Sequence, residues 1–260
     1  MYPILFQFGP LTIYSFGAFM ALAALCAGWV VRAELRRYQY DPELASTIVF
    51  AAAIGGLVGA RILFIAEEWQ GFVAAPWKYI FTGAGFTWYG GFFGGAAAGL
   101  WVARKNKIPA LLGLDIAAPA LALAYGIGRI GCHVAGDGDW GAVTDVPWGV
   151  AYKNAIVGWA DPNSGIPYAP GVVVHPTPIY EFFQNILVFA ILWSLRNKKL
   201  APGTSAWLYL ILAGLSRFAV EFWRINPAVG FGFSEAQWIS LLLMVVGVFM
   251  LAIGRGRVRA

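Results

Sequence analysis

Seven apolar stretches, near 11–31, 46–66, 86–103, 110–131, 177–195, 204–223 and 235–253, run through this sequence. Each is long enough to cross roughly 30 Å of hydrocarbon at about 1.5 Å per residue. Only 12% of the 260 residues are charged and 60% are hydrophobic. A soluble domain carries charge on roughly a quarter of its residues, so the apolar surplus here calls for lipid around the chain. A membrane β-barrel would show alternating segments of about ten residues, and the sequence has none. The expected fold is all-α: a polytopic integral membrane protein of about seven transmembrane helices, forming a single membrane domain over 1–260. No Lys or Arg precedes Arg32, so the first stretch is expected to be a retained span and not a cleaved leader.

The charges between the spans fix an expected orientation. Four basic clusters (Arg32, Arg36, Arg37; Arg104, Lys105, Lys107; Arg196, Lys198, Lys199; Arg255, Arg257, Arg259) follow the first, third, fifth and seventh spans, holding twelve of the eighteen Lys and Arg residues. The opposite loops carry Glu67, Glu68, Asp137, Asp139, Asp145 and Asp161. Positive residues stay on the cytoplasmic side, which puts the N-terminus outside and the C-terminus in the cytoplasm. The basic surplus is therefore topological, with anionic inner-leaflet lipid as its neighbour and no nucleic acid implied. The one long loop, 132–176, falls outside. Its Gly, Pro and Asp content and its Trp140, Trp148, Trp159 and Tyr168 predict a small extracytoplasmic cap inserted between the fourth and fifth helices. Cys26 and Cys132 lie on different predicted helices, which argues against a disulfide framework.

Ionisable groups within a span cost roughly 2.5–3.5 kcal/mol each on insertion scales, so their positions are informative. Arg129, Glu181, Arg217 and Glu221 lie inside spans, with Arg224 at a span end. By the expected topology they gather in the outer half of the bilayer, with Arg217 about 10 Å below the outer end of its helix. Tyr14, Tyr89 and His175 fall at the same end, while Arg61 lies deep on the second span. A pore or transporter needs polar groups along its whole path or near the midplane; a site open to one leaflet does not.

Three motifs carry these residues. SRFAVEFWR, Ser216 to Arg224, spaces Arg217, Glu221 and Arg224 at i, i+4 and i+7, on one helical face. Either Arg217 and Glu221 neutralise each other, or the surplus arginine meets an anionic headgroup, for which guanidinium offers a planar fork of donors. Arg129, in GRIGCHVAGDGDWG, adds a third cation at similar depth. HPTPIYE, His175 to Glu181, makes His175 or Glu181 either a proton-handling group or an interfacial anchor and arginine partner. Cys132 and His133 invite comparison with a nucleophile and base, with Asp137 or Asp139 to orient the imidazole. Adjacent helical side chains diverge by about 100°, and the plainer reading is a buried thiol and a surface imidazole. No metal-binding pattern is present: the two histidines stand far apart, with no HExxH or paired-Cys spacing. In WYGGFFGG, Trp88 to Gly95, the glycines suit close helix packing. Tyr89 is either a hydrogen-bonding phenol or an anchor.

Together these motifs resemble the prolipoprotein diacylglyceryl transferase family. GRIG with its Gly/acid/Trp-Gly run is similar to the family signature, HPTPIYE to its His-Pro-Ser-Gln-Leu-Tyr-Glu element, and RFAVEFWR to its Arg-x-x-x-Glu-x-x-Arg element. WYGG stands where the family has His-Gly-Gly or Tyr-Gly-Gly, and IYSFG (Ile13 to Gly17) resembles its first-helix Tyr-Gly stretch. The order agrees over nearly the whole chain. The resemblance implies transfer of the diacylglyceryl group of phosphatidylglycerol to the lipobox cysteine thiol of a preprolipoprotein, forming a thioether and releasing glycerol phosphate. It implies no cofactor, a bacterial plasma (inner) membrane location with the site facing the outer leaflet, and phosphatidylglycerol, preprolipoprotein signal peptides and the lipid bilayer as partners. By position, Arg129 and Arg217 would hold the lipid phosphate and Glu221 would fix Arg217. Tyr89 would take the place of the family's histidine. His175, Glu181 and Tyr14 would line or support the site, with Arg224 beside them; Asp137 would stand for the family's acidic residue and Gly141 for its closing glycine. Cys132, His133 and Ala135 replace Asn, Phe and Asn of the signature, and one residue is inserted before Trp140. The alternative reading is a divergent paralogue that binds or moves anionic phospholipid or modifies another acceptor.

Overall fold

A computed structural model describes residues 1–9, 11–81, 85 and 87–258. Phe86, where the third expected span begins, and Arg259 of the last basic cluster lie outside the described residues. In chain order the elements are strands β1 (Ile4–Phe8) and β2 (Leu11–Tyr14), then helices α1 (Ser15–Arg37), α2 (Leu44–Glu67), α3 (Trp69–Ala74), α4 (Pro76–Phe81), α5 (Trp88–Lys105), α6 (Ala110–Ala135), α7 (Thr177–Leu195) and α8 (Thr204–Val220). A 3₁₀ turn (Glu221–Trp223), strands β3 (Ala228–Gly230) and β4 (Phe233–Ser234), and helix α9 (Glu235–Val258) complete the chain.

Helices dominate, and six of them among the described residues are long and apolar enough to cross a membrane: α1, α2, α6, α7, α8 with its 3₁₀ turn, and α9. The protein is a multi-pass membrane protein. The third expected span coincides with α5, whose 18 residues include five glycines and end in Arg104 and Lys105; these lower its hydropathy beneath that of the other six.

The chain divides into two compact units, 28–116 and 1–27 with 117–260; the divisions fall inside α1 and α6. In unit 28–116, α2 and α5 pack along a seam of glycines. A β-carbon on Gly59 would sit 2.9 Å from the Cα of Gly94, and one on Gly90 would sit 2.7 Å from the Cβ of Leu63. No side chain fits there, and the backbones touch, as small residues allow between helices in lipid. At the end of this seam Thr87 donates to Glu67 at 2.7 Å.

In the other unit, α6, α7 and α8 share a buried cluster of Ala118, Ala122, Val188 and Leu192. Helix α8 packs on α9 through Gly214, where a β-carbon would approach the Ser240 carbonyl to 2.8 Å. Three local departures from the expected spans occur here. The first span was expected from residue 11, but Leu11–Tyr14 form a strand antiparallel to β1, with Gly9 turning at φ +58°; the helix begins at Ser15. The loop expected from 132 begins four residues later. Cys132 to Ala135 remain helical until Gly136, at φ +66°, closes the helix with its N–H on the Cys132 carbonyl at 2.9 Å, the usual use of glycine past a helix end. Finally, α8 tightens into 3₁₀ geometry at Glu221, and Arg224 leaves in an extended conformation, its N–H on the Glu221 carbonyl at 3.1 Å.

Residues 136–176 fold as a cap on a small aromatic core of buried Trp140, Tyr152 and Val174. Trp140 stacks on Tyr152 with ring centroids 5.0 Å apart, and Trp159 packs on Tyr168 at 4.5 Å. Backbone bonds close the cap and tie it to the turn after α8: Gly141 N–H to the His175 carbonyl at 2.8 Å, and Ala142 N–H to the Trp223 carbonyl at 2.8 Å.

Candidate active site

Three arginines and three carboxylates from four segments of unit 1–27/117–260 meet in one cluster. Helix α6 supplies Arg129, the cap Asp139, the first turns of α7 Glu181, and the end of α8 with its 3₁₀ turn supplies Arg217, Glu221 and Arg224. Glu181, almost fully buried, sits between the arginines. Its Oε2 pairs with Nη2 of Arg129 and lies 3.7 Å from Nη1 of Arg224, while its Oε1 is 3.4 Å from Nη1 of Arg217. The phenol of Tyr125, one helical turn before Arg129, donates to the same Oε1 at 3.0 Å.

Asp139 closes the other side. Its Oδ2 accepts from Nη1 of Arg129 and its Oδ1 from Nη2 of Arg224 at 2.7 Å. Thr177 Oγ1 donates to its backbone carbonyl at 2.6 Å, fixing the loop to the start of α7. Burial opposes the charge on Asp139, but the guanidiniums of Arg129 and Arg224 outweigh it and hold the carboxyl well below the usual carboxylate range. Glu221 is buried too. Its Oε2 pairs with Nη1 of Arg217 at 2.9 Å, and its Oε1 accepts from Ser234 Oγ at 2.6 Å and Asn226 Nδ2 at 2.7 Å.

The cluster is thus charge-balanced by residue type. Two arginines against one glutamate on α8 leave a cation over in sequence; in space Asp139 and Glu181 take up the surplus. What stays available is geometric. The side chains of Arg129 and Arg224 are each 10% exposed, that of Arg217 29%. Arg217 meets both of its carboxylates through Nη1, which leaves Nη2 and Nε outside its ion pairs. A cavity of about 200 Å³ opens beside it, floored by Glu221, Asn226 and Ser234.

The remaining expected residues fall as follows. His175 places Nδ1 3.1 Å from the Tyr180 hydroxyl, which also accepts from Trp148 Nε1 at 2.7 Å. Gly141 lies where the cap backbone crosses the end of α8: a β-carbon there would run into the Trp223 carbonyl and approach Thr177 Cγ2 to 2.8 Å. Asp137 accepts the Asp139 N–H at 3.3 Å, and the carboxylate at the arginines is that of its neighbour Asp139. Tyr14 is exposed on β2. Tyr89, on the first turn of α5, belongs to unit 28–116, as does Arg61. Cys132 accepts a 3.5 Å contact from Arg129 Nη1, whereas His133 turns to the cap and pairs with the Tyr152 hydroxyl at 2.9 Å. Thiol and imidazole thus have different partners. Cys132, Asp137 and Asp139 bring ligand atoms within 4.8 Å of one another, but both oxygens of Asp139 are committed to guanidiniums, whose charge repels a cation.

Sequence reasoning missed Asp139, Tyr125, Asn226 and Ser234 as members. Tyr125 had a signal, its spacing of four from Arg129. Asp139 had a weaker one, the inserted residue before Trp140. Asn226 and Ser234 had none.

Fold and site define a class: a multi-pass membrane protein with a buried arginine–carboxylate cluster where α6, α7 and α8 meet the cap. Residues 3–253 match the model of the prolipoprotein diacylglyceryl transferase family, and the chain belongs to that family. Among its relatives is the phosphatidylglycerol–prolipoprotein diacylglyceryl transferase of Clostridium tetani (strain Massachusetts / E88), 33% identical over 99% of both chains. Others are transferase 2 of Clostridium perfringens (strain 13 / Type A), 34% identical over 94% of this chain and 92% of that one, and the enzyme of Leptospira interrogans serovar copenhageni, 30% identical over 94% and 88%.

Proposed function

We propose that this protein transfers the diacylglyceryl group of phosphatidylglycerol to the lipobox cysteine thiol of preprolipoproteins. The thiol sulfur attacks the glycerol carbon that bears the phosphate ester, the carbon–oxygen bond breaks, and a thioether and glycerol phosphate result; the thiol proton passes to a base or to water. The leaving phosphate needs positive charge already in place. Arg217, paired with its carboxylates through one nitrogen only and partly exposed, is the observation that carries this reading.

In this scheme Arg217 binds the phosphate directly, with Arg129 and Arg224 supplying field from behind Glu181 and Asp139. Glu221 holds Arg217 in register. His175, beside Tyr180 at the start of α7, and Tyr14 line the path of lipid or thiol; Tyr89 takes the place of the family's histidine, as the resemblance implies; Asp137 and Gly141 shape the cap that covers the cluster. The enzyme resides in the bacterial inner membrane with its site toward the outer leaflet, where secreted preprolipoproteins present their cysteine. The balance of basic loops supports that orientation.

The test is direct. Purified protein incubated with phosphatidylglycerol and a lipobox peptide is expected to release glycerol phosphate and a lipidated peptide in equal amounts, and Arg129→Lys to lose most of that turnover, since an ammonium cannot reproduce the planar fork. Lipid binding without glycerol phosphate release would overturn the proposal.

A further inference from the structure

The link between α8 and α9 is a short antiparallel hairpin in which Gly230 pairs with Phe233. Its two tip residues, Phe231 and Gly232, both have positive φ, +50° and +77°. That combination belongs to the tight hairpin turn for which Asn-Gly is the usual choice. A phenylalanine in this region is strained, and here its side chain is 93% exposed. Apart from an edge contact with Trp238 at 6.1 Å, nothing in the described residues offsets the strain. Val229 beside it is exposed as well, and no charged residue occurs from Asn226 to Ser234.

The hairpin joins two spanning helices, so its ends lie where the chain leaves and re-enters the membrane. Its side chains are of the kind water rejects. Its ribbon edges carry unpaired amide groups of the kind hydrocarbon rejects. Only the boundary between headgroups and acyl chains suits both, and aromatic residues concentrate there. Trp238 fits the same layer, with its ring against Phe233 and its Nε1 donating to the Gly230 carbonyl at 3.3 Å. The N-terminal hairpin repeats the pattern. Phe6, Phe8 and Leu11 are exposed, residues 1–14 hold no Asp, Glu, Lys or Arg, and the Tyr2 N–H bonds the Val134 carbonyl at 3.0 Å, at the end of α6 that bears Arg129.

We propose that the β3–β4 hairpin is an interfacial anchor, with Phe231 seated among the acyl chains of the leaflet on the active-site side, and that its base sets the position of Arg217. Ser234 at the inner end of β4 and Asn226 before β3 both hold Glu221 Oε1, and Glu221 Oε2 holds Arg217. The lipid surface and Arg217 are therefore linked through two hydrogen bonds and one ion pair. The absence of charge, together with the hairpin's place between two spanning helices, selects lipid as the occupant.

Two measurements on the full chain in phosphatidylglycerol-containing bilayers test this. With p-benzoylphenylalanine in place of Phe231, irradiation is expected to yield adducts of one phospholipid mass, bonded through acyl carbons, at many times the level obtained with the same probe at Lys153 in the cap. Adducts to a polypeptide, or no excess over the cap position, would overturn the anchor. Phe231→Asn separates turn chemistry from anchoring without endangering the fold, since Asn suits this backbone. Turn chemistry alone stiffens the hairpin and slows amide hydrogen exchange over 228–234. Loss of an anchor makes that exchange several-fold faster. Slower or unchanged exchange in the bilayer would also overturn the proposal.

Discussion

At the residue scale, the division of labour among the arginines follows from how each is paired. Arg129 gives one terminal nitrogen to Asp139 and the other to Glu181, so it is a fixed part of the frame. Arg217 has donors to spare. Arg217→Lys is expected to lower kcat/KM by roughly 10–100-fold, since a charge-assisted bond is worth about 1.5–3 kcal/mol. Steady-state release of glycerol phosphate measures it. Glu181→Gln should be worse for the fold than for any single step. It leaves buried guanidiniums short of a partner, at a cost of about 3–5 kcal/mol, read as a fall in the thermal transition temperature. Asp139 gives a pH signature. Its carboxyl is held below its unfolded value of about 4, so its stabilisation is complete at neutral pH and declines as the pH falls below about 4. Thermal scans from pH 7 to 3 should show Asp139→Asn losing less on acidification than the parent protein. Arg129, Arg217, Glu221, Arg224 and Glu181 were legible in sequence because charge inside an apolar stretch is conspicuous. Asp139 was not, because aspartates in a polar loop look alike until the loop is folded.

At the scale of elements, apolar length alone located the principal helices, and the glycines of WYGGFFGG foretold close helix packing without naming α2 as the partner. Gly59→Val is expected to force these helices apart, at the cost of about 1–3 kcal/mol typical of overpacking, and to lower the transition temperature by several degrees. Gly99→Ala meets only ordinary contacts, the nearest 3.6 Å away, and should be near neutral in the same scan. The two hairpins escaped prediction for a shared reason. Strands are read from alternation of apolar and polar residues, and strands of two to five residues are too short to show it; β2 alone merged with the first expected span. The 3₁₀ turn at Glu221 is equally silent in sequence. It matters because it turns Arg224 onto the backbone and carboxylate of Asp139, where a continued α-helix would have kept it above Arg217.

At the scale of the whole molecule, the alternation of basic clusters predicts which loops face the cytoplasm. Ser164→Cys in the cap should react with a membrane-impermeant maleimide in intact cells, and Lys198→Cys only after permeabilisation; the reverse pattern would invert the protein and place its site on the wrong leaflet for secreted substrates. Family membership and the membrane fold rest on features spread over the entire chain. The site rests on a few side chains that only the fold assembles, and one of them, Asp139, arrives from the segment where the chain departs most from the family signature.

Finally, the cluster matches three guanidiniums with three carboxylates. On the proposed reading an incoming phosphate diester meets Arg217 through the nitrogens outside its ion pairs and tips this neutral knot negative, so it cannot be gripped tightly. Once the carbon–oxygen bond has parted, the same carboxylates repel the spent anion. On that reading the carboxylates that hold the arginines also favour departure of glycerol phosphate, and its escape should not limit turnover.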